Sequence, residues 1–353
     1  MWIQLALIAI LFIVFLVVIF LRMTREKNTW IAYGVPENYD YKSHSDPLYQ
    51  PFDELFPVVQ HIQDARLIMF SDYGDIDNQI SKIPYPPRSY VYAIAGSDFM
   101  ANKAFLAKAF QESGLEGYIP KTYVLDGPIE LEEGKTYFLK KNVQRQEGAM
   151  ITRDTKYIRE RAARDGYVVC QELLQDPMLV NGRKCNMRFY LLVVTNGIDI
   201  QFYVYKNGFM YYTSQMFKKD SVEKEVNITT GYINRKVYDE NPLTHKDLYS
   251  YMKSTDAVKL EKNILEFFKS FRQVYAKKVL NENRGTKNMR FNVFGVDIAP
   301  DEMLNVKIME VNKAPDLSYK DERDADVKLR MVKDMLTLVG ISSAGNPNNF
   351  AMV

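Results

Sequence analysis

The segment Met289-Arg-Phe-Asn-Val-Phe-Gly-Val-Asp297-Ile-Ala-Pro-Asp-Glu-Met-Leu-Asn-Val-Lys-Ile-Met-Glu310-Val-Asn312 restricts the fold of this chain more than any other. From Arg290 to Asn312 it reads as a β-hairpin, two apolar strands around a polar turn. Side chains at i and i+2 of a strand share a face. Phe291, Val293, Gly295 and Asp297 are expected together on the first strand, and Val306, Ile308, Glu310 and Asn312 together on the second. A turn centred between Met303 and Leu304 sets Asp297 directly opposite Glu310. Two carboxylates side by side among apolar residues repel, and a hard cation relieves the repulsion. Asp297, Glu310 and Asn312 offer the oxygen ligands that Mg2+ accepts, with phosphate oxygens completing the octahedron. The spacing leaves a second reading open, a solvated hairpin face whose carboxylates pair with Lys307 or Lys313.

Composition narrows the chemistry. The 353 residues are 47% hydrophobic and 25% charged, enough for one large or two to three small domains and too apolar for extensive disorder. Lys plus Arg is 46 and Asp plus Glu is 44, a net charge of +2 that lacks the basic excess of a dedicated nucleic-acid binder. Two cysteines, Cys170 and Cys185, exclude a disulfide framework and a cysteine zinc site. With only His44, His61 and His245, imidazole-rich metal centres are excluded too. Chemistry is left to carboxylates, Lys, Arg and a bound cation.

At the other end, Trp2 to Leu21 is a run of 20 residues in which Gln4 alone is strongly polar. As a helix it spans roughly 30 Å, the hydrocarbon thickness of a bilayer. It is longer than a signal-peptide apolar region and has no basic stretch before it. Arg22, Arg25 and Lys27 follow it at once, so the positive-inside rule predicts a single-pass membrane protein with the rest of the chain facing the cytoplasm.

Between these ends, residues 28–63 read as a loop-rich lead-in. Asp98 to Ser113 has helical spacing of apolar residues, and Asp154 to Asp165 reads as a charged helix. Arg188–Thr195 and Ile198–Lys206 are expected to be two strands joined at Asn196-Gly197. Ser254 to Leu280 reads as a helix with Leu260, Ile264, Phe267, Phe268 and Phe271 on one stripe, and Ala325 to Leu338 as a closing helix.

Four blocks of sequence, in order from about residue 66 to 338, carry a resemblance. Asp297…Glu310-Val-Asn312 within Phe-x-x-Phe-Gly-x-Asp and Glu-Val-Asn-x-x-Pro resembles the metal-binding hairpin of the tubulin–tyrosine-ligase-like branch of the ATP-grasp ligases. Gln171-Glu172-Leu173-Leu174, followed by Asp176-Pro177 and Gly182-Arg183-Lys184-Cys-Asn186-Met-Arg188, is similar to the family's Gln-Lys-Tyr-Ile and Gly-Arg-Lys-Phe-Asp-x-Arg run. Tyr137-Phe-Leu-Lys140 with a loop ending at Gly148 resembles its Trp-Ile-Val-Lys strand and phosphate loop, and Asn102-Lys103 with Pro120-Lys121-Thr122 its lead-in. The sequence departs from the family at Asn186 (an Asp there), at Tyr211 (an arginine there), and in the phosphate loop, which has one glycine and an acid.

The resemblance implies an α/β (α+β) ATP-grasp fold behind the N-terminal transmembrane helix. The implied division is an anchor at 1–21, a lead-in at 22–63, an N-terminal domain at 64–125, a central subdomain at 126–187, a C-terminal subdomain with the metal site at 188–342, and a tail at 343–353. It further implies a ligase that uses ATP and Mg2+ to join a free amino acid, of the Tyr or Glu type, to a protein acceptor such as tubulin through an acylphosphate. On that resemblance Lys103, Lys140, Gly148, Gln171, Glu172, Leu173, Leu174, Lys184 and Asn186 hold nucleotide. Asp297, Glu310 and Asn312 hold metal, and Arg188 and Glu310 act in catalysis. The departures leave room for a ligase of small molecules or peptides, and for a membrane-tethered ATP-binding protein without turnover.

Overall fold

The structure is a computed structural model that describes residues 30–33, 50–53, 55, 58–59, 62–70, 76–81, 85–86, 88–143, 148–342 and 348–353. The Trp2–Leu21 run lies outside the described residues. Among the described residues, no helix is long and apolar enough to cross a membrane.

The apolar hairpin becomes the middle of a twelve-stranded sheet. In chain order the strands of this sheet are β1 (Trp30–Tyr33), β2 (Val58–Val59), β3 (Leu67–Phe70), β4 (Tyr90–Tyr92), β9 (Leu179–Val180), β10 (Arg183–Thr195), β11 (Ile200–Tyr205), β12 (Phe209–Thr213), β13 (Thr229–Thr230), β14 (Met289–Pro300), β15 (Val306–Asn312) and β16 (Phe350–Met352). A separate four-stranded sheet comprises β5 (Thr122–Val124), β6 (Tyr137–Lys140), β7 (Met150–Thr152) and β8 (Val169–Glu172), in the order β5-β8-β6-β7. The fold is thus mixed α/β. Strands from the expected 64–125 and 188–342 units share one sheet, because β4 pairs in parallel with β14.

Three helices cover these sheets: α1 (Lys103–Glu112), α2 (Ser254–Asn283) and α3 (Glu322–Leu338). The buried stripe of α2 is Ala257, Leu260, Ile264, Phe267, Phe268, Phe271, Tyr275, Val279 and Asn283, the three-and-four spacing of one helix face. It lies over β10, where Phe189 meets Phe268 edge-on at 5.4 Å. Phe209 stands opposite Arg188 in the ladder and so on the other face of the sheet, where Lys328 of α3 sits over its ring. With both faces covered, β10 from Phe189 to Thr195 is buried at every position. The small sheet has its own core of Tyr137, Leu139, Ile158, Ala162 and Cys170.

Three elements differ from the sequence expectation. The helix predicted over Asp98–Ser113 breaks at Asn102, whose backbone is extended and whose Oδ1 accepts from Ala104 N at 3.0 Å and Phe105 N at 3.2 Å. An Asn side chain competes for the N–H groups a continuing helix would use, and here it starts a new helix at Lys103. The charged helix expected at Asp154–Asp165 is one α-turn, Thr155–Tyr157, running into a π-turn, Ile158–Ala162. The turn after β10 has four residues rather than two, since Thr195 pairs with Ile200 and Asn196 Oδ1 accepts from Ile198 N and Asp199 N, both at 2.9 Å.

Gly197 in that turn has φ +81, and a Cβ there would lie 2.8 Å from the Thr286 carbonyl oxygen. Gly197→Ala therefore combines a left-handed backbone with a backbone clash. It is expected to destabilise the protein by roughly 2 kcal/mol or more, read as a fall in the urea midpoint at unchanged slope.

Candidate active site

Asp297 and Glu310 stand opposite each other in the β14–β15 ladder, but not by the simple hairpin that the spacing suggests. The loop end is registered Pro300 to Val306 and Ile298 to Ile308, which on its own would set Asp297 against Met309. A β-bulge between Asp297 and Ile298 makes Met309 the extra residue and moves Glu310 into the facing position. The bulge also splits the face expected to hold Val306, Ile308, Glu310 and Asn312. Val306, Ile308 and Val311 are buried, whereas Glu310 and Asn312 are turned to the half-open side.

Alternation along β10 aims Lys184, Asn186 and Arg188 at one face, and Arg188 is the direct neighbour of Asp297. Arg188 donates twice to that carboxylate, Nε to Oδ1 at 2.5 Å and Nη2 to Oδ2 at 2.8 Å. Its guanidinium lies 5.0 Å from the centre of the Tyr211 ring. Burial pushes the Asp297 carboxyl up, Arg188 pulls it down, and Glu310 pushes it up again. Burial also opposes the charge of Arg188, but Asp297 outweighs it and keeps the guanidinium protonated. Gly295 leaves the space for this pair, because a Cβ there would meet Arg188 Nη1 and Pro315 Cβ, each at 3.1 Å.

Three lysines flank the site, two of them from other elements. The break at Asn102 puts Lys103 at the start of α1, where its ammonium is 3.0 Å from Glu310 Oε1 and 3.1 Å from the Val143 carbonyl. Lys140 ends β6 of the small sheet and donates to the carbonyl of the bulged Met309 at 3.1 Å, tying the two sheets together. Lys184 donates to the Leu174 carbonyl at 3.2 Å. Burial lowers Lys140 to about 8; Glu310 and Asp297 oppose that shift, and the nearby Lys103 and Lys184 add to it. Burial likewise lowers Lys184 to about 8, against a pull from Asp176. Lys103, Lys140 and Arg188 thus converge on two carboxylates, with Lys184 within electrostatic reach of Lys140, an excess of positive charge that suits a polyanion.

The run Gln171–Leu174 leaves the end of β8. Gln171 is buried and donates to Thr122 Oγ1 at 2.9 Å, while its Oε1 has no hydrogen-bond partner. The N–H groups of Glu172 and Leu173 already donate to the Lys121 and Thr136 carbonyls, so any base contact falls to other groups of the run. Gly148 has φ +71 and packs against the Lys141 stem, which a Cβ would strike at 2.8 Å. Residues 144–147 of the expected phosphate loop lie outside the described residues. Asn186 pairs with Tyr211 across β10 and β12.

Among the described residues no group of three or more His, Cys, Asp or Glu side chains could hold a metal ion. The hairpin offers two carboxylates and an amide instead. That donor set suits a hard cation whose shell is completed by phosphate and water. Each Asp297 oxygen accepts one hydrogen bond from Arg188 and keeps a second lone-pair direction, and the Lys103 ammonium stands where Glu310 needs positive charge. The residues present fit Mg2+.

The family profile described as tubulin-tyrosine ligase family matches residues 124–347, well over half of the chain and all of this site except Lys103. The chain belongs to the tubulin-tyrosine ligase family. A Caenorhabditis elegans protein named "Probable tubulin polyglutamylase ttll-9" is 26% identical over 295 residues, 73% of this chain and 68% of that protein. Human "Tubulin polyglutamylase TTLL6" is 24% identical over 253 residues, 64% of this chain but 28% of its own length. "Tubulin glycylase 3B" of Drosophila melanogaster is 22% identical over 183 residues, 49% of this chain and 24% of its own length. The chain therefore spans about two thirds of one of these relatives and under a third of the other two. The tubulin-tyrosine ligase family consists of ATP-grasp-type, amide-bond-forming ligases.

Lys320 lies beside this site and is not singled out in the sequence. Its ammonium donates to the Gly231 carbonyl at 2.6 Å and sits 4.3 Å from the centre of the Tyr232 ring. No local pattern marks it, because its neighbours come from a distant loop. Other basic residues are dispersed: Arg235 is paired with Asp321 and Asp324, Lys278 lies over Phe99, and Lys218, Lys219 and Lys224 are solvent-exposed.

Proposed function

We propose that this chain is an ATP- and Mg2+-dependent carboxylate–amine ligase that adds a free amino acid, of the Tyr or Glu type, to a carboxylate of a protein acceptor. Tubulin is the acceptor to which the names of its relatives point. One observation carries the reading: Lys103, Lys140 and Arg188 reach the Asp297–Glu310 pair from three separate elements. Asp297, Glu310 and Asn312 would hold Mg2+, which neutralises phosphate charge when bound.

The chemistry asks little of the protein beyond position and charge. Lys140 and Lys184 are fixed against the triphosphate, and Lys103 exchanges Glu310 for phosphate oxygen as nucleotide enters. Arg188, held flat by Asp297 and Tyr211, faces the γ-phosphate and the carboxylate that attacks it. An acceptor carboxylate oxygen bonds to the γ-phosphorus as the bond to the ADP oxygen breaks, giving an acylphosphate. The amine of the free amino acid then bonds to the acyl carbon, phosphate leaves, and the nitrogen gives up its proton. No enzyme nucleophile is required. Burial pushes the Cys170 and Cys185 thiols up to about 12 and lowers His245 to about 3, so none of them is poised to act as one. The Trp2–Leu21 run is proposed as a single-pass anchor with this site on the cytoplasmic side.

The test supplies the full-length chain with Mg-ATP, labelled amino acids and a tubulin-rich extract. Label entering a protein band, and absent with Glu310→Gln, is the expected result. Mg-dependent ADP release with free amino acids or peptides, but no labelled protein, would replace the acceptor with a small molecule. No turnover under either condition would sink the enzymatic reading.

A further inference from the structure

Arg188 belongs to two groups of charges. On one side is Asp297. On the other it rests on the Tyr211 ring, and Tyr211 in turn lies so close to Gly231 that a Cβ there would come 2.9 Å from the ring. The Gly231 carbonyl accepts from Lys320, whose ammonium covers the exposed ring of Tyr232. A continuous stack therefore runs from the metal carboxylate to an aromatic and cationic rim.

The cations around this rim differ in their partners. Arg235 donates to Asp321 and Asp324, and Lys328 is buried, 3.7 Å from Asp324. Asp316 accepts from the Ser318 N–H and hydroxyl and, through Oδ2, from the Tyr232 hydroxyl at 3.4 Å, which leaves the ring face and the Lys320 ammonium open. Lys320 makes no ion pair with any described carboxylate, and its single hydrogen bond leaves two N–H donors. Partial burial lowers its pKa, and the groups that modulate it are Asp316, Asp324, Arg235 and Arg188, so it lies within electrostatic reach of the reaction centre.

We propose that Lys320 and Tyr232 form a carboxylate clamp beside the reaction centre, which holds a substrate carboxylate other than the one that reacts. The inference rests on the ligase reading for its substrate. That carboxylate has two sources of the same chemistry: the α-carboxylate of the incoming amino acid, or an acidic side chain next to the modified one on the acceptor. Lys320 supplies two charge-assisted hydrogen bonds, and the flat Tyr232 ring supports the methylenes that lead to the carboxylate.

Binding tests the clamp without turnover. The full-length chain, with Mg2+ and a non-hydrolysable ATP analogue, is titrated with a labelled Glu-rich peptide and separately with free L-glutamate. Lys320→Gln is expected to weaken at least one ligand about tenfold or more, and Lys320→Arg to recover most of the loss, with unchanged affinity for the ATP analogue. Loss confined to the peptide assigns the clamp to the acceptor, and loss confined to glutamate assigns it to the amino acid. Equal affinities in wild type and Lys320→Gln, or no binding of either ligand by wild type, overturn it. If wild type binds but ligates nothing, the ligase reading fails and the clamp stands.

Discussion

Glu310→Gln is expected to lower Mg-dependent turnover by about 10^3-fold or more while leaving the fold in place. The substitution keeps shape and hydrogen-bonding reach and removes one of the two negative charges facing the bulge. Glu310 is half-buried and packs into no part of the hydrophobic core, so the melting temperature should move by no more than about 2 °C. A second readout separates charge from shape. Lys103 loses its ion-pair partner in the variant, so ATP itself should bind no worse when Mg2+ is withheld and should gain little when Mg2+ is added. Turnover within a few-fold of wild type would remove Glu310, and with it the hairpin, from the metal assignment.

Lys184→Met is expected to weaken ATP about 10^2-fold and at the same time to stabilise the protein at neutral pH. Lys184 is 3% exposed, and burial holds its pKa at about 8, below the ordinary lysine value. Below pH 8 the ammonium is charged in both the folded and unfolded states, and the folded chain bears the full cost of burying it. Between about 8 and the unfolded value the folded state releases its proton first, so wild-type stability rises with pH through that window. The variant should therefore be more stable at pH 7 by on the order of 2 kcal/mol, with the difference shrinking towards pH 10. The same proton sets activity: kcat/KM for ATP in wild type should fall as pH rises past about 8. Denaturant melts at pH 7 and pH 10, with ATP titrations across the same range, check both halves. A variant less stable than wild type at pH 7 would mean that the Leu174 hydrogen bond outweighs the cost of burying the charge.

Both expectations rest on groups whose types and spacing were visible in the chain, while their assembly was not. Apolar periodicity marked α2 and its Leu260–Phe271 stripe, since burial against a sheet demands that spacing whatever the sheet. The two strands of the hairpin, and the opposition of Asp297 to Glu310, were legible for the same kind of reason. Yet the turn centres on Met303 rather than between Met303 and Leu304, and the opposition survives only because Met309 bulges out. A bulge changes register without changing composition, so no pattern of residue types announces it. That displaced Met309 carbonyl is also the acceptor that fixes Lys140.

What the amino-acid sequence determined alone was the inventory: carboxylates, lysines and one arginine on strands of alternating character, and very few histidines or cysteines. The tertiary structure decided which of those charges meet. Asn102 turns one expected helix into two, so that Lys103 starts the second and reaches Glu310; the docking of the small sheet against β15 brings Lys140 in; Gly231 carries Lys320 to the rim beside Arg188. Local patterns record what each element must bury. Long-range electrostatic convergence depends on how elements pack, and residues up to about 200 positions apart in the chain acquire their partners only when the sheets close.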